Sequence, residues 1–279
     1  MEILKQTIST FQPDTMLTMI GDRFSLEKLH YIQKQGIKTL VWLTEDPYYI
    51  DCTKTYAPWY DYIFTIEKQA VSVYEELGHH RVYYLPLGTN DGVFHSRNMA
   101  PKYDISLIGF PYRNRIALIE RILKDTPFTV AVVGRWKGMI KNTPRLYLFN
   151  GWFPPYKTAH FYNGSKVNLN TLRDAKEEMN ENSLNIPNGS INNRTFDIAA
   201  CEAFQIVQHS EGITPFFEPD RDIVTFHDEE DLLKKLFYYM DLDQERNAIA
   251  RRAADKTKHY HTFLHRLAYM IETVQSDLH

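Results

Sequence analysis

The stretch that decides the fold is residues 192–207, which reads Asn192-Asn193-Arg194-Thr195-Phe196-Asp197-Ile198-Ala199-Ala200-Cys201-Glu202-Ala203-Phe204-Gln205-Ile206-Val207. Its pattern predicts a short helix that runs directly into a buried strand. At the helix start, free backbone N–H groups and the positive end of the helix dipole favour an anion, and Arg194 adds a planar cation that fits phosphate oxygens. Asp197 follows about one turn later on the same face, in reach of a sugar hydroxyl. The stretch therefore predicts a site for a nucleoside diphosphate.

Composition limits the classes of protein to consider. The 279 residues suffice for one large domain or two ordinary ones, and 43% hydrophobic residues is the content of a normal globule. A net charge of −3 gives no sign of a polyanion-binding surface. Cys52 and Cys201 lie far apart and outside any metal-binding spacing, so we expect free thiols in a reducing compartment. Without a signal peptide or an apolar run of about 20 residues, we expect a cytoplasmic protein with no membrane span.

Apolar runs alternate with helical patterns along the chain, which predicts an α/β fold with parallel sheets. The first series of predicted strands covers 16–20, 38–43, 62–65 and 82–86, and the second covers 104–109, 129–134, 146–149, 167–170, 204–207 and 222–226. Between the two series, residues 86–92 are rich in turn formers and mark a hinge. We therefore expect two βα domains, with a ligand cleft between the carboxyl ends of their sheets.

The expected domains are a shortened N-terminal one at 1–90, a second one at 91–260 and a C-terminal helix at 261–279 that crosses back to the first domain. An apolar stripe at 3.6-residue spacing, from Tyr260 to Val274, predicts this final helix. Residues 174–192 are rich in Asn, Glu, Ser and Gly and form the longest expected loop, in a position to contact a substrate.

Basic residues follow several strands of the second domain. Each one alone could equally be a solvated or salt-bridged arginine, but together they favour a ligand that carries phosphate. They are Arg113, Arg115, Arg135, Arg173 and Arg194.

An ordered series of motifs resembles the group-1 glycosyltransferases of the GT-B fold, in the branch that is similar to the spore maturation protein CgeB. The resemblance covers nearly everything from about Pro13 onward. Its matching segments are 42–47, 62–65, 84–88, 104–109 with Tyr112 and Arg113, 162–170, 193–200 and 261–263.

This resemblance implies a transferase with two Rossmann-like domains facing across a cleft, and a nucleoside diphosphate sugar, most simply a UDP-sugar, as the donor on the C-terminal domain. It places Asp197 on the donor ribose and Asn193 with Arg194 on the diphosphate. Arg113 or Arg115 becomes a second phosphate clamp. Trp136 flanks the base. From the cations that follow the strands, we also expect Arg173 among the donor-binding residues. No tightly bound cofactor and no metal is implied, because the helix dipole and the cations stabilise the departing diphosphate.

Three features depart from the family pattern. Gly189 stands where a second acidic residue is usual, Glu202 replaces a usual glycine, and few residues precede the strand at Met16. They leave open a non-catalytic protein that binds nucleotide sugars or glycans in a spore or surface layer. A GT-B nucleotide-sugar epimerase is a further alternative. The acceptor stays open among glycan, protein and, less favoured, nucleic acid.

For the transfer step, Asp46 is the candidate base because it stands at a strand end that faces the expected cleft, and Glu45 is its competitor. The same residues, Glu45-Asp46-Pro47, are equally typical of a turn or of a helix start, in which Asp46 would have a structural role instead of a catalytic one. His261 and His265 have the i, i+4 spacing of metal ligands but lack a carboxylate at useful spacing, so we expect no metal there.

Overall fold

The computed structural model describes residues 1–277, and the chain divides into two compact units. Unit 1 comprises Met1–Pro86 together with Ala175–Ser190, and unit 2 comprises Leu87–Asp174 and the chain from Ile191 on. The boundary thus falls inside the expected hinge, at its beginning. The final helix groups with unit 2 instead of forming a separate segment, and the expected loop at 174–192 groups mostly with unit 1.

Unit 1 is a four-stranded parallel sheet in the order β1-β2-β3-β4. Leu17 is opposite Leu40 and Val41 is opposite Ile63, so the apolar centres of the strands are in register. Strands β2 and β3 are buried almost throughout, as a parallel sheet covered on both faces requires. The elements are α1 (Glu2–Phe11), β1 (Thr15–Met19), α2 (Leu26–Lys34), β2 (Lys38–Leu43), α3 (Ile50–Tyr56), a 3₁₀ turn (Ala57–Trp59), β3 (Tyr62–Thr65), α4 (Ala70–Glu76) and β4 (Val82–Tyr84).

The returning segment 175–190 is attached to unit 1 by one apolar side chain and several polar bonds. Ile186 lies in the apolar core of that unit. Asp51 accepts hydrogen bonds from the backbone N–H and the hydroxyl of Ser183, at 2.6 and 2.7 Å. The Glu181 N–H donates to the Tyr48 carbonyl at 2.7 Å. These bonds explain why a segment without helix or strand has a defined position on the unit.

Unit 2 is a six-stranded parallel sheet in the order β10-β9-β8-β5-β6-β7. This is the doubly wound order of a Rossmann fold. The elements are β5 (Tyr103–Ile108), α5 (Arg113–Asp125), β6 (Val130–Gly134), β7 (Leu146–Asn150), α6 (Pro155–Asn163), β8 (Ser165–Asn170), α7 (Asn193–Ala200), β9 (Gln205–Gln208), β10 (Val224–Phe226), α8 (Glu229–Met240), α9 (Asp243–Tyr260) and α10 (Phe263–Ser276).

The strands of unit 2 are continuous apolar runs because helices cover both faces of the sheet. Val130, Val132, Ile105 and Val167 are 0% exposed and form one core with the inner faces of α5 and α8. The α/β fold with two Rossmann-like units is therefore confirmed.

The apolar stripe near the end of the chain is divided between two helices. Tyr260 ends α9, and Thr262 starts α10 through a reciprocal cap in which its N–H bonds the His265 ring. This cap gives His265 a structural role. Within residues 1–277, no group of three or more His, Cys, Asp and Glu side chains is arranged to hold a metal ion. No helix in the same residues has both the length and the apolar character that a membrane span needs.

Candidate functional site

The order of the unit 2 sheet fixes where a ligand can bind. The chain leaves β5 in one direction, through β6 and β7, and then returns to place β8 on the other side of β5. At this switch point the connections diverge and leave a crevice beyond the carboxyl ends of the strands. Gly109 follows β5 and Thr171 follows β8, so both flank the crevice.

Gly109 allows two guanidinium groups to come close to the backbone. It adopts a φ of +154°, and a Cβ there would lie 2.8 Å from Arg115 Nη1 and 3.0 Å from Arg194 Nη2. Gly134, after β6, is equally constrained, because its Cβ would lie 2.2 Å from the Gly109 carbonyl oxygen. Any side chain at either position would displace the backbone or the cations.

Arg115 is a structural clamp across the switch point. Its Nε donates to the Thr171 hydroxyl at 2.9 Å, its Nη2 to the Thr171 carbonyl at 3.0 Å, and its Nη1 to the Phe110 carbonyl at 3.0 Å. The residue is only 4% exposed. It therefore joins the loop after β5 to the loop after β8, and its positive charge acts on the crevice from a fixed place. Arg113, the other candidate clamp, is exposed at the first position of α5.

Two guanidinium groups stack on one aromatic ring beside this clamp. The Arg115 and Arg173 guanidinium carbons lie 4.9 and 5.1 Å from the centroid of the Tyr112 ring. Arg173 is 8% exposed. Cation–π contacts of this kind hold both cations near the crevice, where their charges add.

Helix α7 begins at the same crevice. Asn192 caps it by accepting the Thr195 N–H at 3.1 Å, and Asn193 and Arg194 occupy its first turn. Arg194 Nη1 donates to the Asn170 side-chain oxygen at 3.1 Å and to the Thr171 carbonyl at 3.3 Å, while part of the side chain stays accessible. The crevice therefore combines a helix N-terminus with a partly exposed guanidinium group, a combination that suits an anion.

Asn170 has a positioning role that the sequence reasoning did not assign. It is 0% exposed and also bonds Asn192, Thr195 and Gln205, so it joins β8 to both α7 and β9. An asparagine inside an apolar strand pattern was the available signal, because a buried amide must be fully hydrogen-bonded.

Asp197 faces inward from α7. One carboxylate oxygen accepts the Thr89 hydroxyl at 2.7 Å and the other accepts the Asn193 amide at 3.3 Å. Burial raises the pKa of Asp197 to about 7, against the lowering effects of the Thr89 bond and the Arg194 charge. This carboxylate holds Asn193 in place, and with 7% of the residue exposed it offers little surface to a ribose hydroxyl.

A pocket of about 360 Å³ adjoins the cation cluster and shares Gly109 with it. Its walls come from the carboxyl ends of β5, β6 and β7 and include Phe110, Arg135, Trp152 and Phe153. Trp152 is 78% exposed, so a large aromatic face is open to a planar ligand.

The structure corrects the role expected for Trp136. This side chain is 0% exposed and lies in the apolar core of unit 2, and its indole N–H donates to the Gly109 carbonyl at 2.9 Å. An indole enclosed in this way has no face for a nucleobase, and it instead supports the backbone of Gly109. Trp152, which the sequence reasoning missed, is the exposed tryptophan of the pocket.

In unit 1, Asp46 and Glu45 have opposite surroundings. Asp46 is 2% exposed, and its oxygens accept hydroxyl hydrogen bonds from Thr53 at 3.1 Å, Thr65 at 2.7 Å and Tyr74 at 2.9 Å. Burial raises its pKa to about 6, although these three bonds lower it. Glu45 is exposed. Of the two carboxylates, Glu45 is therefore the one that a molecule from solution can reach.

Glu45 lines a cavity of about 240 Å³ that belongs entirely to unit 1. Leu43, Tyr49 and Tyr56 contribute apolar and aromatic surface, and Glu45 is joined by the exposed carboxylates of Asp22 and Glu181. Apolar and aromatic walls with a few polar groups are the usual lining of a pocket that binds a small molecule.

Gly189, where the family pattern has an acidic residue, lies in the segment that groups with unit 1. The backbone N–H groups of Gly189 and Ser190 both donate to Glu67 Oε2, at 3.2 and 3.1 Å. Glu67 is 1% exposed, and burial raises its pKa. The carboxylate near this backbone thus comes from another part of the sequence and anchors the returning segment.

Solved structures with a similar fold include glycosyltransferases. Sucrose-phosphate synthase from Thermosynechococcus elongatus matches with a TM-score of 0.67 at 11% identity, over 99% of this chain and 77% of that one. Anabaena HepE in complex with UDP-glucose matches with a TM-score of 0.69 at 9% identity, over 99% and 81%. The fold is that of the GT-B glycosyltransferases.

Sequence comparison then assigns the family. The model of the glycosyl transferase-like family matches residues 113–272, and the chain belongs to that family. It is also 36% identical over 263 residues to the spore protein CgeB of Bacillus subtilis (strain 168), which covers 92% of this chain and 81% of that protein. The resemblance noted from the sequence is confirmed, and the chain is a glycosyltransferase.

Proposed function

We propose that this chain transfers a sugar from a nucleoside diphosphate sugar, held by unit 2, to a hydroxyl group of an acceptor. The observation that carries the proposal is the meeting of the aromatic pocket and two guanidinium groups at Gly109. A flat aromatic wall suits a nucleobase, and the neighbouring cations suit a diphosphate. UDP is our first choice of nucleotide because HepE, which has the same fold, binds UDP-glucose.

The exposed aromatic ring of Trp152 contacts the base in this assignment, and Arg194 and Asn193 at the start of α7 contact the diphosphate. Arg115 and Arg173 add fixed positive charge, and Arg113 is an exposed cation at the first position of α5. Negative charge develops on the diphosphate as the sugar–oxygen bond breaks, so fixed donors and cations there lower the barrier. We propose that these groups act without a metal ion.

The acceptor occupies the cavity of unit 1 in this proposal. Glu45 lines that cavity and acts as the base that takes the proton of the acceptor hydroxyl. Asp46, directly behind it in the sequence, is buried and positions the loop through Thr53, Thr65 and Tyr74. Glu45 thus replaces Asp46 as the first candidate for the base, because a base must reach the proton that it removes.

Calorimetric titration of the purified protein with UDP, ADP, GDP, CDP and dTDP tests the donor assignment. We expect one selective response, equal in magnesium and in EDTA. A response only with magnesium would overturn metal independence, and no response to any nucleotide would overturn the donor site. Product analysis with the matching sugar nucleotide then distinguishes transfer from epimerisation, since an epimerase converts the sugar without an acceptor.

A further inference from the structure

A second cavity of unit 2, of about 420 Å³, lies at the opposite end of the sheet from the pocket described above. Ser165 and Phe204, at the amino ends of β8 and β9, contribute to its walls. Asn170, at the other end of β8, bonds Arg194. At about 3.3 Å per residue, the two ends of this strand are roughly 17 Å apart. The cavity is therefore separate from the proposed donor site.

Basic side chains predominate in this second cavity. Its lining includes Arg97, Lys166, Arg246 and Arg251, against the two carboxylates of Glu202 and Asp243. Both carboxylates are already paired: Glu202 with Arg251 at 3.2 Å, and Asp243 with Arg246. Lys166 is paired with Asp104 at 2.9 Å. The remaining cation of the lining is Arg97, whose guanidinium group forms no ion pair with a carboxylate of residues 1–277.

Arg97 also has an unused donor. Its Nε is buried and has no hydrogen-bond acceptor within the described chain. The backbone of the residue is fixed, because its N–H donates to the Asn163 side chain at 2.7 Å. The residue as a whole is half-buried, and its two Nη groups also have no acceptor in residues 1–277, so an anionic ligand in the cavity would bond those two groups.

The start of α9 adds further donors at the same cavity. Asp243, Arg246 and Asn247 in the first turns of this 18-residue helix line it. Leu242, at the cap position, supplies no side-chain hydrogen bond to the helix. The positive end of the α9 dipole is therefore at the cavity wall, together with the acidic side chain of Asp243.

Glu202 holds one wall of the cavity in an unusual conformation. Its φ is 52°, a left-handed value that favours glycine, and its carboxylate pairs with Arg251 at the same cavity. This conformation ends α7, because the N–H groups of Glu202 and Ala203 donate to the carbonyls of Ala199 and Ile198, and it leaves the Glu202 carboxylate beside Arg251 at the cavity wall. The residue that departs from the family pattern is therefore part of this second lining.

We propose that this cavity binds a phosphate group, with Arg97 as the main contact and Arg251 and the start of α9 as further donors. The ligand is a small molecule that carries phosphate, since the cavity has the size of a small-molecule site. The proposal is independent of the sugar-transfer reaction and adds a second anion site to unit 2.

The test is calorimetric titration with inorganic pyrophosphate in an Arg194→Ala background, which weakens the donor site. We expect measurable binding there and in the matched control Lys141→Gln, which removes an exposed cation of unit 2 outside the cavity. Arg97→Gln should bind roughly tenfold more weakly, the usual effect of one charge-assisted hydrogen bond. No binding in the Arg194→Ala background, or equal affinity with and without Arg97, would overturn the proposal.

Arg251→Gln provides a second variant that leaves the core untouched, because its side chain is 70% exposed. We expect it to weaken pyrophosphate binding about threefold, as for an exposed charge. Unchanged affinity would remove Arg251 from the site. UDP titration of the wild-type protein is a separate measurement, so loss of the donor assignment and loss of this site are distinguishable.

Discussion

The hydroxyl group of Thr89 donates a 2.7 Å hydrogen bond to the buried carboxylate of Asp197 in α7. The backbone of Thr89 also bonds the chain at the start of α10, since its N–H donates to the His261 carbonyl and its carbonyl accepts from the Phe263 N–H. Thr89 is the third residue of unit 2. One residue thus connects the beginning of unit 2, the helix that carries Arg194 and the final helix.

This relationship predicts a loss of stability in Thr89→Val. The change keeps the shape but leaves Asp197, 7% exposed, without its hydroxyl donor. An unsatisfied buried acceptor costs about 1–3 kcal/mol in free energy of unfolding. Urea denaturation measures the difference, and Thr89→Ser, which keeps the hydroxyl group, should stay close to wild type. Equal stability of the valine and serine variants would show that the bond contributes nothing.

Arg194→Ala should weaken UDP binding by about 1.5–3 kcal/mol, because the diphosphate loses a charge-assisted hydrogen bond. Calorimetry gives the dissociation constant directly. Lys141→Ala removes an exposed cation elsewhere in unit 2 and should leave the affinity unchanged. If Arg194→Ala binds UDP as well as wild type does, Arg194 has no place in the site.

Trp152→Ala should weaken UDP binding by about 1–3 kcal/mol through lost stacking on the base. Trp152→Phe keeps an aromatic face and should retain most of the affinity. The side chain is 78% exposed, so neither change should affect the free energy of unfolding by more than a few tenths of a kcal/mol. Equal affinity in all three proteins would place the base away from this pocket.

Glu45→Gln should bind UDP normally and lose most of its transfer activity, because the amide cannot take the acceptor proton. The measurement is the turnover of the sugar nucleotide with a competent acceptor, beside a UDP titration of the same sample. Glu76→Gln, an exposed change on α4, is the matched control. Full turnover in Glu45→Gln would assign the base to another residue.

Asp46 should make folding stability depend on pH. Its pKa is about 6 in the folded chain against 3.8 for an ordinary aspartate, so the folded state binds the proton more tightly. The stabilisation that comes from the protonated Asp46 is therefore complete below pH 4. As the pH rises toward 6 it is lost, and the free energy of unfolding falls by about 3 kcal/mol. Asp46→Asn removes this loss.

The measurement is the difference in free energy of unfolding between Asp46→Asn and wild type, from pH 4 to 7. It should shift in favour of the variant as the pH rises. Asp51→Asn is the matched control, because the Lys54 and Ser183 hydrogen bonds lower the pKa of Asp51 to about 2. The stabilisation by the ionised Asp51 is present above pH 4 and is lost only at lower pH. The difference in free energy of unfolding between Asp51→Asn and wild type should therefore be constant from pH 4 to 7. A flat difference for Asp46→Asn as well would contradict the raised pKa.

Much of the fold could be predicted from local patterns. The βα alternation located the strands in both units, and the helices at Arg113 and Glu229 start where their patterns begin. The division of the terminal stripe was missed, because Tyr260 and the residues of α10 keep helical spacing across the break at His261. When two consecutive helices keep the same spacing of apolar residues, that spacing alone does not show the cap that separates them.

The candidate site was predictable only in part. Arg194 and Asn193 were found because a helix start combined with a cation has a local signal. Trp136 and Trp152 could not be ranked, since both follow strands and only packing decides which ring is enclosed. Asp46 and Glu45 pose the same problem, because adjacent residues at a strand end point in different directions.

The sequence alone determined which segments form strands and helices and which residue types can meet a phosphate, because these depend on contacts between near neighbours. The tertiary structure decided which of those residues share a site. Arg115 reaches Thr171 only because the chain returns to place β8 beside β5. Segment 175–190 joins unit 1 only because Ile186 and Ser183 find partners far away in the sequence. Such contacts depend on burial and on the order of strands, which no local pattern contains.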